Sequence, residues 1–245
     1  MVRAFVAAIL LTVLTAGSVA AQTPREHLDA MRHLRLGQEN LRAEQWEKAN
    51  AEFQAAIVLE PTLEMAHYGL GQVKMATRRF PEAVVAYLAC RDAFIANNAR
   101  RAVNDLAAQR QLDDQIRSLE DQKAALGSGR GNVLAGSQHD LERHIADLRL
   151  LQSRSKGTSG VPPWISVALG SAYFRSGSMN DAEREYLEAL KADPKLGEAH
   201  NNLAVVYLSN GRYHEAQVEI DAAERAALHV NPQLKEDLKK ASAKR

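Results

Sequence analysis

Residues 163–196 read PWISVALGSAYFRSGSMNDAEREYLEALKADPKL, and residues 197–230 read GEAHNNLAVVYLSNGRYHEAQVEIDAAERAALHV. The two stretches have the same length, and their small and aromatic residues fall at matching places. Gly177 aligns with Gly211, for example. Further aligned pairs are Tyr173 with Tyr207, Ala182 with Ala216, and Ala189 with Ala223. Self-similarity at a period of about 34 residues is typical of stacked copies of one supersecondary unit.

The same period relates residues 30–63 to residues 64–97. Gly37 aligns with Gly71, and the other aligned pairs are Trp46 with Phe80, Ala49 with Ala83, and Phe53 with Tyr87. In every unit, apolar residues recur at helical spacing on both sides of a central turn, which predicts two antiparallel helices. Two short helices cannot bury their apolar faces alone, so neighbouring units are expected to stack.

The composition favours helix and excludes several other classes of protein. Hydrophobic residues make up 46% of the chain and charged residues 25%, which excludes a disordered polyelectrolyte and a multi-spanning membrane protein. Aromatic residues are only 5%, while Ala, Leu, Glu, Arg and Gln are abundant. The single cysteine excludes a disulfide framework and a cysteine-rich metal site.

This pattern resembles the tetratricopeptide repeat family, in which small residues stand where helices touch and proline often closes the unit. The third unit, with Gly170, Gly177 and Pro194, matches best. The first two units depart from the pattern at the turn glycine, and the fourth departs at one glycine and one aromatic residue. These departures are Glu44, Arg78, Ala204 and Ile220. The resemblance implies an all-α helix-pair solenoid of two plus two repeats.

We expect five segments along the chain. They are a signal peptide at 1–21, repeats one and two within 22–97, a helical or coiled-coil insert with a glycine-rich turn at 98–160, repeats three and four within 161–230, and a capping helix with a basic tail at 231–245. The insert follows from the spacing of the units, because the distance between the starts of units two and three is not a multiple of the period.

The first 21 residues have the pattern of a secretory signal peptide. Arg3 precedes an apolar run at 4–14, and the small residues at 16–21 offer a cleavage site after Ala21 or Ala20. The run is short for a membrane-spanning helix, which needs about 20 residues, although an uncleaved anchor is the alternative. We therefore expect an exported protein, periplasmic or secreted, with no stable membrane insertion after cleavage.

The charge of the expected mature chain does not favour nucleic-acid binding. The full chain has 31 Lys and Arg residues and 30 Asp and Glu residues. Removal of the signal peptide removes Arg3, so the formal net charge of the mature chain is zero. Nucleic-acid binders usually carry a basic excess that neutralises phosphate groups. Just after the predicted cleavage site, Thr23, Pro24 and Glu26 predict a helix start with a capping box.

The insert has helical apolar spacing on either side of a glycine-rich turn at 127–132. The first set is Leu112, Ile116, Leu119 and Leu126, and the second is Leu134, Leu141, Ile145 and Leu148. Three interpretations remain open: an antiparallel hairpin that folds on itself, a coiled coil through 99–153 that makes a homo-oligomer, and a mostly flexible linker.

No motif predicts catalysis, a cofactor or a metal ion. His33, His67 and His200 share the fourth position of their units, but neighbouring helices lie about 8–10 Å apart, which is too far for one zinc ion. The glycines at 127–131 lack the preceding strand and the following Lys-Ser/Thr pair of a phosphate loop. We therefore expect a protein that is not an enzyme.

A partner-binding groove is expected on the first helix of each unit, at positions 2, 5, 9 and 12. The candidate residues are Leu34, Gln38, Leu41, Tyr68, Gln72, Met75, Trp164, Val167, Phe174, Asn201, Val205 and Leu208. This mostly apolar lining suits a peptide or amphipathic helix of another protein. The expected function is a non-enzymatic, exported interaction scaffold. One alternative is a self-associating structural protein, and another is that these residues merely pack within the fold.

Overall fold

A computed structural model describes the backbone of residues 23–127, 133–154 and 160–243. The predicted signal peptide, most of the glycine-rich turn and most of the stretch before the third unit lie outside the described residues. Where the chain is described, the regular elements are all helices. They are α1 (Pro24–Arg42), α2 (Trp46–Leu59), α3 (Glu64–Ala76), α4 (Phe80–Gly127), α5 (Val133–Arg154), α6 (Pro163–Arg175), α7 (Met179–Ala192), α8 (Gly197–Ser209), α9 (Tyr213–Arg225) and α10 (Pro232–Ser242).

Four helix pairs occupy the predicted repeat units. They are α1 with α2, α3 with the start of α4, α6 with α7, and α8 with α9. Each pair also packs on the next one through a shared core of buried alanine, leucine and aromatic side chains. The prediction of an all-α helix-pair solenoid is confirmed.

The turns inside the four pairs share one backbone conformation. Gly177 and Gly211 have φ values of +88° and +72°, and Glu44 and Arg78 adopt the same left-handed region at +55° and +59°. A side chain in that region costs about 1–2 kcal/mol relative to glycine. The two units without the turn glycine therefore keep the turn at the expense of local strain.

The two repeat pairs stack on each other, a relationship that the sequence leaves open. Val84 and Tyr87 of α4 form one buried cluster with Leu169 and Ala172 of α6. Near this cluster, Arg91 Nη1 donates to the buried carboxylate of Glu185 at 3.0 Å. The second and third units are therefore neighbours in space even though about 65 residues separate them in the chain.

Helix α4 continues beyond the solenoid without a break. It contains 48 residues, which corresponds to a length of about 72 Å. The predicted start of the insert at residue 98 falls inside this helix. No glycine or proline occurs between Pro81 and Gly127, so nothing in the local sequence ends the helix at the edge of the repeat.

Helix α5 runs antiparallel to the far half of α4. Ile116, Ile145 and Leu148 are buried between the two helices, with Leu112 and Leu119 partly buried beside them. Two ion pairs flank this cluster: Lys123 Nζ to Glu142 Oε1 at 2.7 Å, and Arg149 Nη2 to Glu120 Oε1 at 2.6 Å. Among the three interpretations of the insert, this arrangement corresponds to the antiparallel hairpin.

Both ends of the described chain have helix caps. The Thr23 hydroxyl accepts a hydrogen bond from the Glu26 amide, and the Glu26 carboxylate accepts one from the Thr23 amide, so the predicted capping box is confirmed. At the other end, the Asn231 side chain accepts from the Gln233 amide at the start of α10. Leu238 of α10 is buried against the last core cluster.

Candidate functional site

The first helices of the four units, α1, α3, α6 and α8, carry all twelve predicted partner-binding residues. Three of those residues, from three different repeats, meet in one pocket: Met75 of α3, Phe174 of α6 and Val205 of α8. The pocket has a volume of about 270 Å³, and its other lining residues are Phe80, Ser171, Arg175, Tyr186 and Asn202. We call this the groove pocket. It exists only because the two repeat pairs stack across the insert.

The groove pocket combines an apolar lining with a few polar groups. Ser171 Oγ and the Tyr186 hydroxyl lie 3.1 Å apart and share a hydrogen bond. The Asn202 side-chain oxygen accepts from the Asn201 amide at 3.3 Å. No described residue accepts from the amide N–H groups of Asn202, which can therefore donate to a carbonyl oxygen of a ligand. This is the usual make-up of a ligand pocket, in which apolar contacts supply affinity and a few polar groups fix orientation.

Arg175 places a positive charge at the edge of the groove pocket. Its guanidinium lies 5.0 Å from the centre of the Phe80 ring, in a cation–π contact. The side chain is exposed, and no carboxylate in the described part of the chain forms an ion pair with it. Arg175 therefore remains able to bind a carboxylate from outside the protein.

A separate aromatic cluster joins α3, α4 and α6, and its residues do not line the groove pocket. Tyr68 contacts Trp164 edge to face, with ring centres 4.8 Å apart, and its ring centre lies 5.4 Å from that of Tyr87. Trp164 is 37% exposed, so it offers ring surface to a partner. Burial, and secondarily the charge of Glu198, raises the pKa of Tyr68, so its hydroxyl stays protonated.

Tyr186 is held in its neutral form. Burial is the main reason that the pKa of Tyr186 is raised to about 12, and the Ser171 hydroxyl opposes that shift through its hydrogen bond. At neutral pH the hydroxyl is therefore a donor and an acceptor without charge. Tyr186 lines the groove pocket as a neutral polar group.

The structure separates the twelve predicted residues into two groups. Leu34 and Val167, both at position 5, are buried to 6% and 5% exposure within the repeat cores, so they offer little surface to a partner. The others are half-buried or, in the case of Trp164, exposed. They are Gln38, Leu41, Tyr68, Gln72, Met75, Trp164, Phe174, Asn201, Val205 and Leu208. Gln38 and Leu41 on α1 do not line the groove pocket.

Several lining residues are absent from the predicted set. Phe80 and Tyr186 belong to the second helices of their units, and Arg175 is one position beyond the predicted row on α6. The prediction used only four positions of the first helix. The bulky aromatic beside the small residue in each unit is the signal that points to Tyr186, because its ring fills the gap between helices.

Two of the three recurring histidines connect the two helices of their unit. His33 Nδ1 lies 2.6 Å from Glu52 Oε2, and His200 Nδ1 lies 2.6 Å from Glu219 Oε2. His67, at the same position of unit two, instead contacts the Pro61 carbonyl at 2.9 Å. Across residues 23–127, 133–154 and 160–243, no three His, Cys, Asp or Glu side chains are grouped to hold a metal ion.

None of the helices within the described ranges is both long enough and apolar enough to cross a membrane. This includes the 48-residue helix α4, in which charged residues recur along the whole length.

Models of the tetratricopeptide repeat match three parts of the chain, at residues 34–97, 165–196 and 185–218. The matched residues cover most of the four helix pairs and leave out the extension formed by the far half of α4 and by α5. No curated protein matches the chain.

Several solved structures are similar over most of the chain. TTC0263 of Thermus thermophilus is 17% identical with a TM-score of 0.36, covering 87% of this chain and 99% of its own. PilW, a type IV pilus biogenesis factor, is 15% identical with a TM-score of 0.42, over 87% and 86%. The TPR2AB domain of yeast Sti1, solved with a pHSP90 ligand, is 14% identical with a TM-score of 0.30, over 87% and 98%. The repeat matches and the four stacked helix pairs together show that this chain belongs to the tetratricopeptide repeat family.

Proposed function

We propose that this protein is a non-enzymatic interaction scaffold that binds a peptide or amphipathic helix of another protein in the groove pocket. The observation that carries the proposal is the meeting of Met75, Phe174 and Val205, from three different repeats, around one cavity of about 270 Å³. A surface assembled from several repeats is suited to an extended ligand, because each repeat adds one contact along its length.

The chemistry of the pocket favours an apolar side chain as the main anchor. Burial of one leucine or phenylalanine side chain is worth about 1.5–3 kcal/mol, and a flexible methionine such as Met75 adapts to its shape. The amide of Asn202 supplies a donor to the backbone of the ligand. Arg175 favours a ligand with a carboxylate beside the apolar anchor.

We also propose that the protein acts outside the cytoplasm, in a bacterial periplasm or after secretion. This part rests on the basic, apolar and small-residue pattern of residues 1–21. Amino-terminal sequencing of the protein from its native cell tests it. A mature chain that starts at Gln22, or at Ala21, supports export, whereas a retained Met1 in a soluble cytoplasmic fraction contradicts it.

Photo-cross-linking in the native cell tests the binding site. A benzophenone amino acid replaces Phe174 in one variant and Trp164 in a second. A third variant carries the same probe at Val218, which is 46% exposed on α9 and lies outside the groove pocket. We expect the Phe174 and Trp164 variants to form an adduct with the same partner, which mass spectrometry then identifies.

The Val218 probe is the matched control for exposure. The proposed site is wrong if the Val218 probe captures the same partner as strongly as the probes at Phe174 and Trp164. It is also wrong if those two probes capture nothing that the Val218 probe does not. Leu34 is unsuitable as a probe position because its side chain is buried and a bulky replacement would disrupt the first repeat.

A further inference from the structure

One section of α4 packs on none of the other helices that the structure describes. This section lies between the part of α4 that packs in the repeats and the part that packs on α5, and every residue from 99 to 111 is exposed. Two large apolar side chains occur there, Val103 at 67% exposure and Leu106 at 50%. Exposed apolar side chains that lie together on one helix face form a candidate contact surface.

The apolar residues of this section follow a coiled-coil spacing. Ala96, Ala99, Val103 and Leu106 are separated by three, four and three residues, which is the spacing of the a and d positions of a heptad. Asp92 lies four residues before this set and Arg110 four residues after it, on the same helix face. We call these six residues the outer seam.

The outer seam is complementary to itself when reversed. In an antiparallel pair centred on residue 101, Ala96 faces Leu106 of the second copy and Ala99 faces Val103 of the second copy. Each large side chain thus meets an alanine, so two helices can approach closely without a clash. The same register places Asp92 of each copy opposite Arg110 of the other.

We infer that the outer seam is a homodimer interface in which two copies of this chain pair their α4 helices antiparallel about residue 101. The two charged residues favour this partner and this direction. A parallel pair would oppose Asp92 to Asp92 and Arg110 to Arg110, which is repulsive. Neither Asp92 nor Arg110 has an ion-pair partner in the part of the chain that the structure describes.

A two-fold axis doubles each of these contacts, as in any isologous interface. The outer seam from Asp92 to Arg110 is about 27 Å long, so one helix pair buries an area at the lower end of the range for specific complexes. We therefore expect a reversible dimer with a dissociation constant in the micromolar range. The groove pocket involves none of the six residues, so both surfaces can be used at once.

Sedimentation equilibrium of the purified protein tests this inference. Asp92→Arg and Arg110→Asp, made separately, each place like charges across the axis, and each is expected to weaken dimerisation by at least about 10-fold. The double variant carries both reversals and restores opposite charges, so it is expected to dimerise within about threefold of the unaltered protein.

Mixing the two single variants gives a second, independent readout. One variant then supplies only positive charges at the two positions and the other only negative charges, so the mixture is expected to form a heterodimer that neither variant forms alone. The matched control is a double variant that carries both Arg101→Asp and Asp105→Arg. These two substitutions reverse two exposed charges on the opposite face of the same helix section. It is expected to leave dimerisation unchanged. Circular dichroism confirms that each variant is folded.

A protein that stays monomeric at all concentrations overturns the inference. So does a dimer that the single reversals leave intact, because its interface must then lie elsewhere. Failure of the double variant and of the mixture to restore dimerisation shows that the outer seam does not pair antiparallel about residue 101.

Discussion

A Cβ atom on Gly170 would lie 2.7 Å from Cε1 of Tyr186, closer than carbon atoms pack. The same contact occurs between Gly37 and Phe53, at 2.7 Å, and between Gly71 and Tyr87, at 2.4 Å. In each of these three units the aromatic ring of the second helix occupies the space that a side chain on the first helix would need. The fourth unit has Ala204 and Ile220 at these two places, both fully or almost fully buried. The two departures of this unit from the family pattern therefore compensate each other: Ala204 is larger than the usual glycine, and Ile220 is narrower than the usual aromatic ring.

Gly170→Ala is expected to lower the free energy of unfolding by about 2 kcal/mol, because the added methyl group overlaps the Tyr186 ring. Tyr186→Ile removes the overlapping ring and, together with Gly170→Ala, reproduces the pair found in unit four. Gly170→Ala is therefore expected to cost much less stability in a protein that already carries Tyr186→Ile. Urea unfolding of the unaltered protein and of the three variants measures the coupling between the two positions. Independent, additive effects would contradict the proposed contact.

Glu44→Gly and Arg78→Gly are each expected to stabilise the protein by about 0.5–1 kcal/mol, because both residues adopt left-handed backbone conformations that favour glycine. Among the residues that the structure describes, neither side chain has a hydrogen-bond or ion-pair partner that the substitution would remove. Thermal unfolding monitored by circular dichroism is the measurement. The reverse change, Gly177→Ala, is the control and should destabilise. A lower melting temperature for both glycine variants would show that the turns carry no strain.

Cys90 is expected to resist thiol reagents until the protein unfolds. Burial is the main reason that the pKa of Cys90 is raised to about 12, and the nearby charge of Glu64 contributes in the same direction. Between pH 7 and pH 9 the thiol is therefore neutral as well as inaccessible, and thiolate is the reactive form. Labelling with a thiol-reactive chromophore along a urea gradient should follow the unfolding curve. Rapid labelling in the absence of urea would contradict the buried position.

The repeats could be predicted from the sequence because their signal is local and periodic. Glycine and aromatic residues sixteen apart, such as Gly71 and Tyr87, report a contact inside one helix pair, and four copies of the pattern fix the register. The prediction also extended to the all-helical class and to the capping box at Thr23.

What could not be predicted depends on contacts between distant parts of the chain. The stacking of α4 on α6 involves residues on either side of the insert, so no sequence period reports it. The burial of Leu34 and Val167 follows from how neighbouring helices cover position 5, and Phe80 and Tyr186 reach the groove pocket from second helices. The sequence period did not predict that α4 continues through residue 98, because the repeat unit ends at residue 97 whereas the helix continues to Gly127.

The central claim, that the groove pocket binds a segment of a partner protein, is tested most directly by titrating that segment against matched variants. A fluorescent peptide from the captured partner is titrated with the purified protein, with Val205→Asp, and with Val218→Asp. Val205 lines the groove pocket and Val218 is exposed on α9, and neither belongs to a buried core cluster. We predict that Val205→Asp weakens binding at least about 10-fold, the equivalent of about 1.4 kcal/mol, and that Val218→Asp binds as the unaltered protein does. Equal affinity of all three proteins would contradict the account.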